Sequence, residues 1–575
     1  MKIQFITSAF NGMAQRLWVE LDRLNHEVNV VIPISDGQLI KETFCYDPDL
    51  IIAPFLTTKI PKEIYVKYKC FIVHPGVKGD RGASSLDWAI LCNEKKWGVT
   101  ILEAVEKMDA GDIWAFVPFT MREVSKGELY RNEVTQAAAK GILQVINNFI
   151  QPNFSPQQLD YSNPEIKGRW NNKTTQKDFK FSWNDDVNSI ITKIRAADSF
   201  PGVLISIFNK DFYAYGVHLE EQLKGKPGDV LAQRDKAICV ATKDKSLWIT
   251  HLKLVQKGSI KLPATLALGN LAKNIQINKL SPFEKVNYKT WQEIRFEQDN
   301  QIGYLHFDFY NGAMSSTQCK RLKEAIAEAK KRVKLIVLMG GRDVWSNGIH
   351  LNEIESAENP AEASWQNINA IDDLILEIIN STEHYIISAL QGNAGAGGVS
   401  LALATDKVLC RTGIVLNPHT KNMGLYGSEY WTYLLPKRIG YKKAERFTED
   451  CLPWGVNVAL EIGFIDGFKG ETNAEFVSYV KQQATEIISL PYFDKLIKAK
   501  KFQRKKDERN KPLAKYRKEE LEKMHKNFFE NDMNYHYKRY CFVHKINNPN
   551  SEATKNLYRK RREIYRKRKW ENLDY

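Results

Sequence analysis

The chain reads as a multidomain α/β protein, and three observations carry that reading. Over residues 1–150, apolar runs of strand length alternate with amphipathic helical stretches, the pattern of a parallel sheet with crossover helices. Residues 151–178 then turn polar and hold Pro152, Pro156 and Pro164, as a linker would. Beyond residue 289 a new series begins, in which buried apolar strands lead to glycine-rich loops. A length of 575 residues suggests about three to four domains.

Composition narrows the class. With 43% hydrophobic residues the chain can bury several cores. Cys45, Cys70, Cys92, Cys239, Cys319, Cys410, Cys451 and Cys541 are scattered, with no Cys-x-x-Cys pair. That argues against a zinc ribbon or a disulfide scaffold and fits a reducing cytoplasm. The start, Met1-Lys2-Ile3-Gln4-Phe5-Ile6-Thr7, is too soon interrupted to be a signal segment. No apolar run reaches the roughly 18 residues of a spanning helix, so no membrane span is expected. Much of the +15 formal charge falls after residue 490, in Lys498-Ala499-Lys500-Lys501, Arg504-Lys505-Lys506 and the run from Tyr558 to Lys569. A solvated helix face is the first reading of such runs, with phosphate contact second. Aromatics are interleaved but no nucleic-acid module is present, so nucleic acid is not an expected partner.

In order along the chain, strands are expected at 3–7, 28–33 and 50–53, with a helix at 13–24. No G-x-G-x-x-G follows the first strand, so no dinucleotide is implied. Asn11 and Gln15 lie there, where they either reach a ligand or simply start a helix. Cys70-Phe71-Ile72-Val73 is a short buried strand, and it delivers His74-Pro75-Gly76-Val77-Lys78-Gly79-Asp80-Arg81-Gly82. Pro75 and the three glycines forbid a regular element here. A strand-end His held by such a loop is placed as an active-site imidazole would be, although a lone one is more often structural. A second motif follows, the strand Trp97-Gly98-Val99-Thr100-Ile101-Leu102 and the loop Met108-Asp109-Ala110-Gly111-Asp112-Ile113. A His and an Asp at strand ends of one α/β sheet can meet at its carboxyl edge, where such sheets bind ligands. A helix is expected at 128–150, with Arg131 near its start, facing either a ligand or solvent.

Ile194-Arg195-Ala196-Ala197-Asp198-Ser199-Phe200-Pro201-Gly202 precedes short strands at 203–208, 212–217, 237–241 and 247–252. A strand at 302–309, a charged helix at 320–333 and a buried strand at 335–339 open the last region. Two loops dominate it: Trp345-Ser346-Asn347-Gly348-Ile349-His350-Leu351, and Gln391-Gly392-Asn393-Ala394-Gly395-Ala396-Gly397-Gly398, which opens onto an apolar helix. Glycines before a helix start let backbone N–H groups approach a ligand and point at its negative charge. The run from Asn417 to Trp431 adds His419, Tyr426, Ser428 and Glu429, either a remodelled site or a packed aromatic cluster. The segment 535–545 is aromatic enough to fold back onto this region.

These motifs resemble two families. The His74 and Asp109 loops, with the Ile-Arg-Ala and Pro-Gly pair at 194–202, are similar to formyltransferases that use 10-formyltetrahydrofolate. The resemblance spans about residues 1–285 and implies a Rossmann-like domain followed by a small OB-like β-barrel. It implies His74 and Asp109 as the catalytic pair, with Asn11, Gln15, Arg81 and Arg131 toward the folate cofactor. The family carries an Asn two residues before the His, whereas this chain has Ile72.

The later loops resemble the crotonase (enoyl-CoA hydratase/isomerase) fold. That resemblance implies backbone N–H donors at Ile349 and Gly397 forming an oxyanion hole for a CoA thioester, each worth about 2.7–4 kcal/mol. Gly348 and Gly398 adjoin them, and Ala313-Met314 falls near the nucleotide end of coenzyme A. Ser400 and His419 stand where hydratases carry paired glutamates, so hydration is not implied.

Fused in one chain, the two parts resemble the HypX (HoxX) family of hydrogenase maturation factors. The resemblance implies that a formyl group passes from 10-formyltetrahydrofolate to coenzyme A, and that formyl-CoA then releases carbon monoxide for a [NiFe]-hydrogenase. It implies small-molecule substrates, and as partners either other hydrogenase maturation proteins or the hydrogenase large-subunit precursor. Tyr426 is first in line for the proton work of that release, with His419 and Glu429 behind it. Metal-free chemistry is expected. Domain limits are expected at 1–165, 179–285 and 289–485, with a basic helical extension over 486–575. Formyl transfer to a sugar or tRNA amine, and a CoA-sensing scaffold, stay open as other readings.

Overall fold

The computed structural model describes residues 1–530 and 534–546. Its described residues divide into two compact units, Met1–Ser206 with Asp211–Val217, and Ile207–Lys210 with residues 218–546. The basic run from Tyr558 to Lys569 lies outside the described residues.

Six strands build the sheet of the first unit: β1 (Lys2–Ile6), β2 (Glu27–Val31), β3 (Leu50–Ala53), β4 (Cys70–His74), β5 (Lys96–Glu103) and β6 (Ile113–Thr120), in the order β2-β1-β3-β4-β5-β6. Alternate residues of each strand face opposite ways, so the sheet needs two apolar covers. Ile3, Phe5, Ile52 and Phe71 join the cluster formed with the helices Gly12–Arg23 and Thr135–Phe149. Ile6, Ile51, Ala53 and Cys70 join the other.

Strands β1 to β4 are parallel, as expected, but β5 is antiparallel to both β4 and β6. The carboxyl-edge expectation for Asp109 therefore needs correction. Thr100 pairs with His74 and Glu103 with Phe71, so β5 ends away from His74. Asp109 reaches the imidazole because the loop after Glu103 doubles back along the sheet before Asp112 returns to bond the Glu103 N–H. The helix expected at 128–150 is a helical run from Lys126 to Phe149, interrupted by a π turn at Tyr130–Val134 that contains Arg131.

Residues 151–178 are a second correction, since they are no free linker. Gly168 N–H bonds the Lys78 carbonyl, Arg81 N–H the Arg169 carbonyl, and the Tyr161 hydroxyl the Gly79 carbonyl. Thr174 is buried against Ser84 and Asp87. The prolines break helices and strands, and the freed backbone serves the loop it covers.

Next comes a six-stranded sheet: β7 (Val203–Ile207), β8 (Lys210–Glu220), β9 (Val230–Arg234), β10 (Ala237–Ala241), β11 (Ser246–Leu254) and β12 (Leu262–Pro263). It runs β7-β8-β11-β10-β9, with β12 on β11. The sequence reading missed β9.

The larger sheet of the second unit comprises β13 (Ile294–Asp299), β14 (Ile302–Phe307), β15 (Leu335–Leu338), β17 (Tyr385–Leu390), β19 (Lys407–Cys410) and β22 (Gly467–Phe468) in that spatial order. All but β13 pair in parallel. A smaller sheet takes β16 (Val344–Ser346), β18 (Asn393–Gly395), β20 (Val415–Asn417) and β21 (Trp454–Gly455). After each of β15, β17 and β19 the chain steps from the larger sheet into the smaller one. That repeated step carries the two glycine-rich loops and the Asn417 run to one place.

The C-terminal helices Phe493–Asn510, Leu513–His525 and Tyr535–His544 are only partly the solvated face expected of them. Lys498, Lys505 and Lys506 are exposed. Lys500 instead pairs with Asp406 at 2.6 Å, and Arg504 is buried against the Tyr433 hydroxyl at 2.9 Å. Tyr535 is fully buried and meets the Ser364 hydroxyl at 2.9 Å, so the 535–545 segment does fold onto this unit. Among the described residues no helix is long and apolar enough to cross a membrane.

Candidate active sites

His74 closes β4, and its ring is buried between two carboxylates. Nε2 lies 2.8 Å from Asp80 Oδ2, and Nδ1 lies 3.8 Å from Asp109 Oδ2. Burial pulls the imidazole pKa down, but the Asp80 hydrogen bond and the two negative charges outweigh it, so the pKa is raised. Asp80 was not singled out from the sequence, where a loop Asp is usually a turn residue. Its other oxygen accepts from Asn171 Nδ2 at 3.1 Å.

The loop chemistry explains why this pair can form. A Cβ at Gly76 would fall 2.4 Å from Asp80 Oδ2 and 2.5 Å from His74 Nε2, so only glycine leaves them room. Thr100 Oγ1 donates to the Gly76 carbonyl at 2.8 Å, and Trp97 Nε1 and Ser85 Oγ both donate to the Pro75 carbonyl. Asp109 sits in the left-handed region at φ 51°, and its Oδ2 accepts the Gly82 N–H at 3.2 Å. Arg81 donates from Nε to the Met108 carbonyl at 2.9 Å, with its guanidinium over Trp170. Its side chain is thus committed to the loop that presents Asp109.

The other residues read toward a cofactor on this side are also engaged locally. Asn11 is the N-cap of the Gly12–Arg23 helix, its Oδ1 accepting from Ala14 N–H. Gln15 Nε2 donates to the Phe10 carbonyl at 2.9 Å. The Arg131 guanidinium lies beside Gly127, where an added Cβ would be 3.3 Å from Nη2.

In the second unit Gly348 and Gly397 are apposed: a Cβ on Gly348 would lie 3.2 Å from the Gly397 nitrogen. Gly397 opens the Gly397–Leu403 helix, where N–H groups of the first turn have no intrahelical acceptor. Ile349 bridges Met314, and the Met314 N–H bonds the Gly348 carbonyl at 2.9 Å. Asn367 staples the loop by accepting the His350 N–H and donating to the Met314 carbonyl. The Gly348 N–H is taken by Ser346 Oγ at 3.1 Å. Gly398 packs rather than opens the site, because a Cβ there would strike the Ser346 carbonyl at 2.2 Å. Met314 is buried core, and Ala313 beside it is half-buried.

Glu429 completes this cradle. Its Oε1 would overlap a Cβ on Gly397, so the carboxyl lies directly against that residue. Burial first, then the neighbouring Asp372, pushes it up to about 8. His419 is half-buried near Gly395, its Nδ1 2.8 Å from the Asn417 carbonyl, and desolvation lowers its pKa. Tyr426 packs with Ile349 in a cluster that includes Leu521, Met524 and Phe528 of the C-terminal region. Its ring lies 5.4 Å from Trp431, with Lys523 Nζ 4.0 Å above it. The sequence reading did not anticipate Glu520, Met524 and Asn527, which grip this run from about 90–100 residues downstream.

The fold and these two sites define a class: a formyltransferase-type half joined to a crotonase-fold half. A family model described as formyl transferase, C-terminal domain, matches residues 173–267, and one described as enoyl-CoA hydratase/isomerase matches residues 298–547. The hydrogenase maturation factor HoxX of Bradyrhizobium diazoefficiens is 40% identical over 550 residues, 95% of each chain. The crystal structure of HypX from Aquifex aeolicus in complex with tetrahydrofolic acid matches with a TM-score of 0.93 at 45% identity, covering 99% of both chains. Methionyl-tRNA formyltransferase of Bacillus subtilis is 25% identical over 250 residues, 42% of this chain and 78% of that one. The chain belongs to the HypX/HoxX family of hydrogenase maturation factors.

Proposed function

We propose that this protein takes the formyl group of 10-formyltetrahydrofolate, transfers it to coenzyme A and converts formyl-CoA to carbon monoxide and coenzyme A. The carbon monoxide then serves as an iron ligand of a [NiFe]-hydrogenase, in the cytoplasm, with other maturation proteins or the large-subunit precursor as partners. The folate complex of the Aquifex relative supports the donor. His74, held between Asp80 and Asp109, orients the formyl group and manages the proton as the formyl group leaves the folate nitrogen. Asn11, Gln15 and Arg131 take the folate side, and Arg81 positions the Asp109 loop.

The observation that carries the second half is a departure from hydration chemistry. Ser400 and His419 cannot act as the two carboxylates that activate water, while one raised carboxyl, Glu429, lies against Gly397. The apposed glycines leave the close approach a thioester carbonyl needs, which fits an acyl oxygen bound at the Ile349 and Gly397 N–H groups. Loss of carbon monoxide breaks the formyl C–H and C–S bonds and forms an S–H bond, with no net oxidation. Tyr426 and Glu429 carry that proton, while the lowered pKa of His419 favours its neutral form.

The test is anaerobic incubation with 10-formyltetrahydrofolate, with and without coenzyme A, trapping carbon monoxide on reduced haemoglobin. Coenzyme-A-dependent carbon monoxide, lost in His74→Ala and reduced in Tyr426→Phe, is the expected result. Formate or formyl-CoA without carbon monoxide would confine the second site to binding. Bound folate that is never consumed would leave a scaffold.

A further inference from the structure

The Glu429 carboxyl belongs to a buried group that the proposed reaction does not explain. Asp372, Ser428, Glu429 and Glu520 are all buried together, although they come from three separate parts of the chain. Asp372 lies on the Pro360–Ile379 helix and Glu520 on the Leu513–His525 helix. Between them the backbone makes an unusual elbow. Glu429 and Tyr430 both adopt left-handed conformations, at φ 61° and 56°. Such residues are strained and persist only where their surroundings over-determine them.

The two carboxylates supply that determination. Asp372 Oδ1 accepts the Glu429 N–H at 2.8 Å, and Glu520 Oε2 accepts the Tyr430 N–H at 2.9 Å. Glu520 Oε1 also accepts the Thr432 N–H at 2.9 Å and the Thr432 hydroxyl. The Ser428 hydroxyl lies 2.8 Å from Asp372 Oδ2 and 3.3 Å from Glu520 Oε2. Arg517 stands 3.8 Å from Asp372 but gives its close contact, 2.6 Å, to Asp373.

The distribution of donors decides where the protons go. Three buried carboxyls, Asp372, Glu429 and Glu520, share this group, the one guanidinium near it is paired closely with the half-exposed Asp373, and like charges so close in a dry space do not all ionise. Asp372 and Glu520 are the richer in donors, which favour the ionised form and oppose the burial that pushes them up, to about 6 and about 8. Glu429 receives the Ser428 N–H on Oε2 at 2.8 Å, while its Oε1 rests against Gly397. Burial, then Asp372 and then Glu520 raise its pKa, and only the Ser428 N–H opposes them. Of the remaining titratable neighbours, the Cys319 thiol on the Ser316–Ala329 helix is itself pushed up by burial, and so is the Tyr430 hydroxyl. Neither offers Glu429 a positive charge.

We infer that Asp372 and Glu520 are positioning residues: they hold the left-handed elbow and keep Glu429 as a neutral acid whose Oε1 is presented at Gly397. The C-terminal helix is therefore part of the acyl site. What the neutral acid does there rests on the decarbonylation reading above, whereas its protonation does not.

The experiment separates the two. Infrared difference spectra of the full chain, wild type minus Glu429→Gln at neutral pH, should contain the carbonyl band of a buried protonated carboxylic acid. In Glu520→Gln and in Asp372→Asn the pH at which that band disappears should fall by about one unit or more. Glu520→Asp, which restores a carboxylate, should recover part of the shift. With formyl-CoA as substrate, the falling limb of the kcat profile for carbon monoxide should move the same way, with KM little changed. A missing wild-type band overturns the inference, and so does a midpoint unmoved in both neutralising variants. Should one variant fail to fold, the other and the wild-type titration still decide. A band that behaves as described in a protein that forms no carbon monoxide would sink the decarbonylation reading and leave the inference standing.

Discussion

His74 and Glu429 are both buried, and both have pKa values raised by their surroundings, yet the same shift leaves them in opposite states. Around His74 the raised value means charge, because Asp80 and Asp109 stabilise an imidazolium. Around Glu429 it means neutrality, because burial and Asp372 penalise a carboxylate. One half of the molecule therefore favours a proton on a cation held between two carboxylates, and the other favours it on a neutral acid among buried carboxyls. A raised pKa alone says little about chemistry. The charge type of the group and its hydrogen-bond partners say the rest.

Breaking the first pair should have the largest effect. His74→Ala should lower folate-dependent formyl transfer by about 10²–10⁴-fold, while carbon monoxide release from supplied formyl-CoA is retained. Loss of both rates would mean that the two sites are not chemically separate. Gly76→Ala is a sharper probe, since it adds one methyl group where Asp80 and His74 meet. Displacement of that pair should cost about 10²-fold in transfer, again sparing the second rate.

Met524→Ala attacks the other side. This side chain is fully buried, and its sulfur meets the Gly427 N–H. The substitution should cost about 2–5 kcal/mol in the second unit, read as a lower denaturant midpoint, and should impair carbon monoxide release with formyl transfer intact.

The smallest effect is in pH. Glu429, raised from 4.5 to about 8, keeps in the folded state a proton that the unfolded chain has released across that window. Stability contributed by this group is thus full below about pH 4.5 and is lost as pH rises toward 8. His74 acts with the same sign: its contribution is full below 6.5 and fades as pH rises through its raised value. Replacing Glu429 with Gln should flatten the decline of Tm between about pH 5 and pH 8. An unchanged slope would remove Glu429 from the comparison.

Much of the first site was legible because its chemistry is local. His74 and Asp109 sit in short glycine-bearing loops next to apolar strands, and those patterns survive in one dimension. The strand β6 was not read from the sequence, yet the loop joining β5 to it carries a signal for the antiparallel turn. Only residues 104–112 join these strands, fewer than the dozen or so that a parallel crossover needs. The return of β5 beside β4 was not legible, because a helix lies between them and suggests a crossover. Asp372 and Glu520 were invisible for another reason. Each is an acidic residue on a charged helix, and its burial depends on Ser428, 56 residues later in one case and 92 earlier in the other. Periodicity cannot report a contact of that kind. The π turn at Tyr130–Val134 likewise leaves the apolar spacing of its helix intact.

The grip of the C-terminal helices on the Tyr426–Thr432 elbow has a consequence in time. The segment that closes over the His74 loop is complete once Thr174 has been made, whereas the elbow waits for Asn527. About 350 residues separate those events, or roughly 20–70 s of synthesis at about 5–20 residues per second. A nascent chain therefore has its His74 loop covered long before the elbow is held, and a chain cut short before residue 513 keeps the first without ever assembling the second.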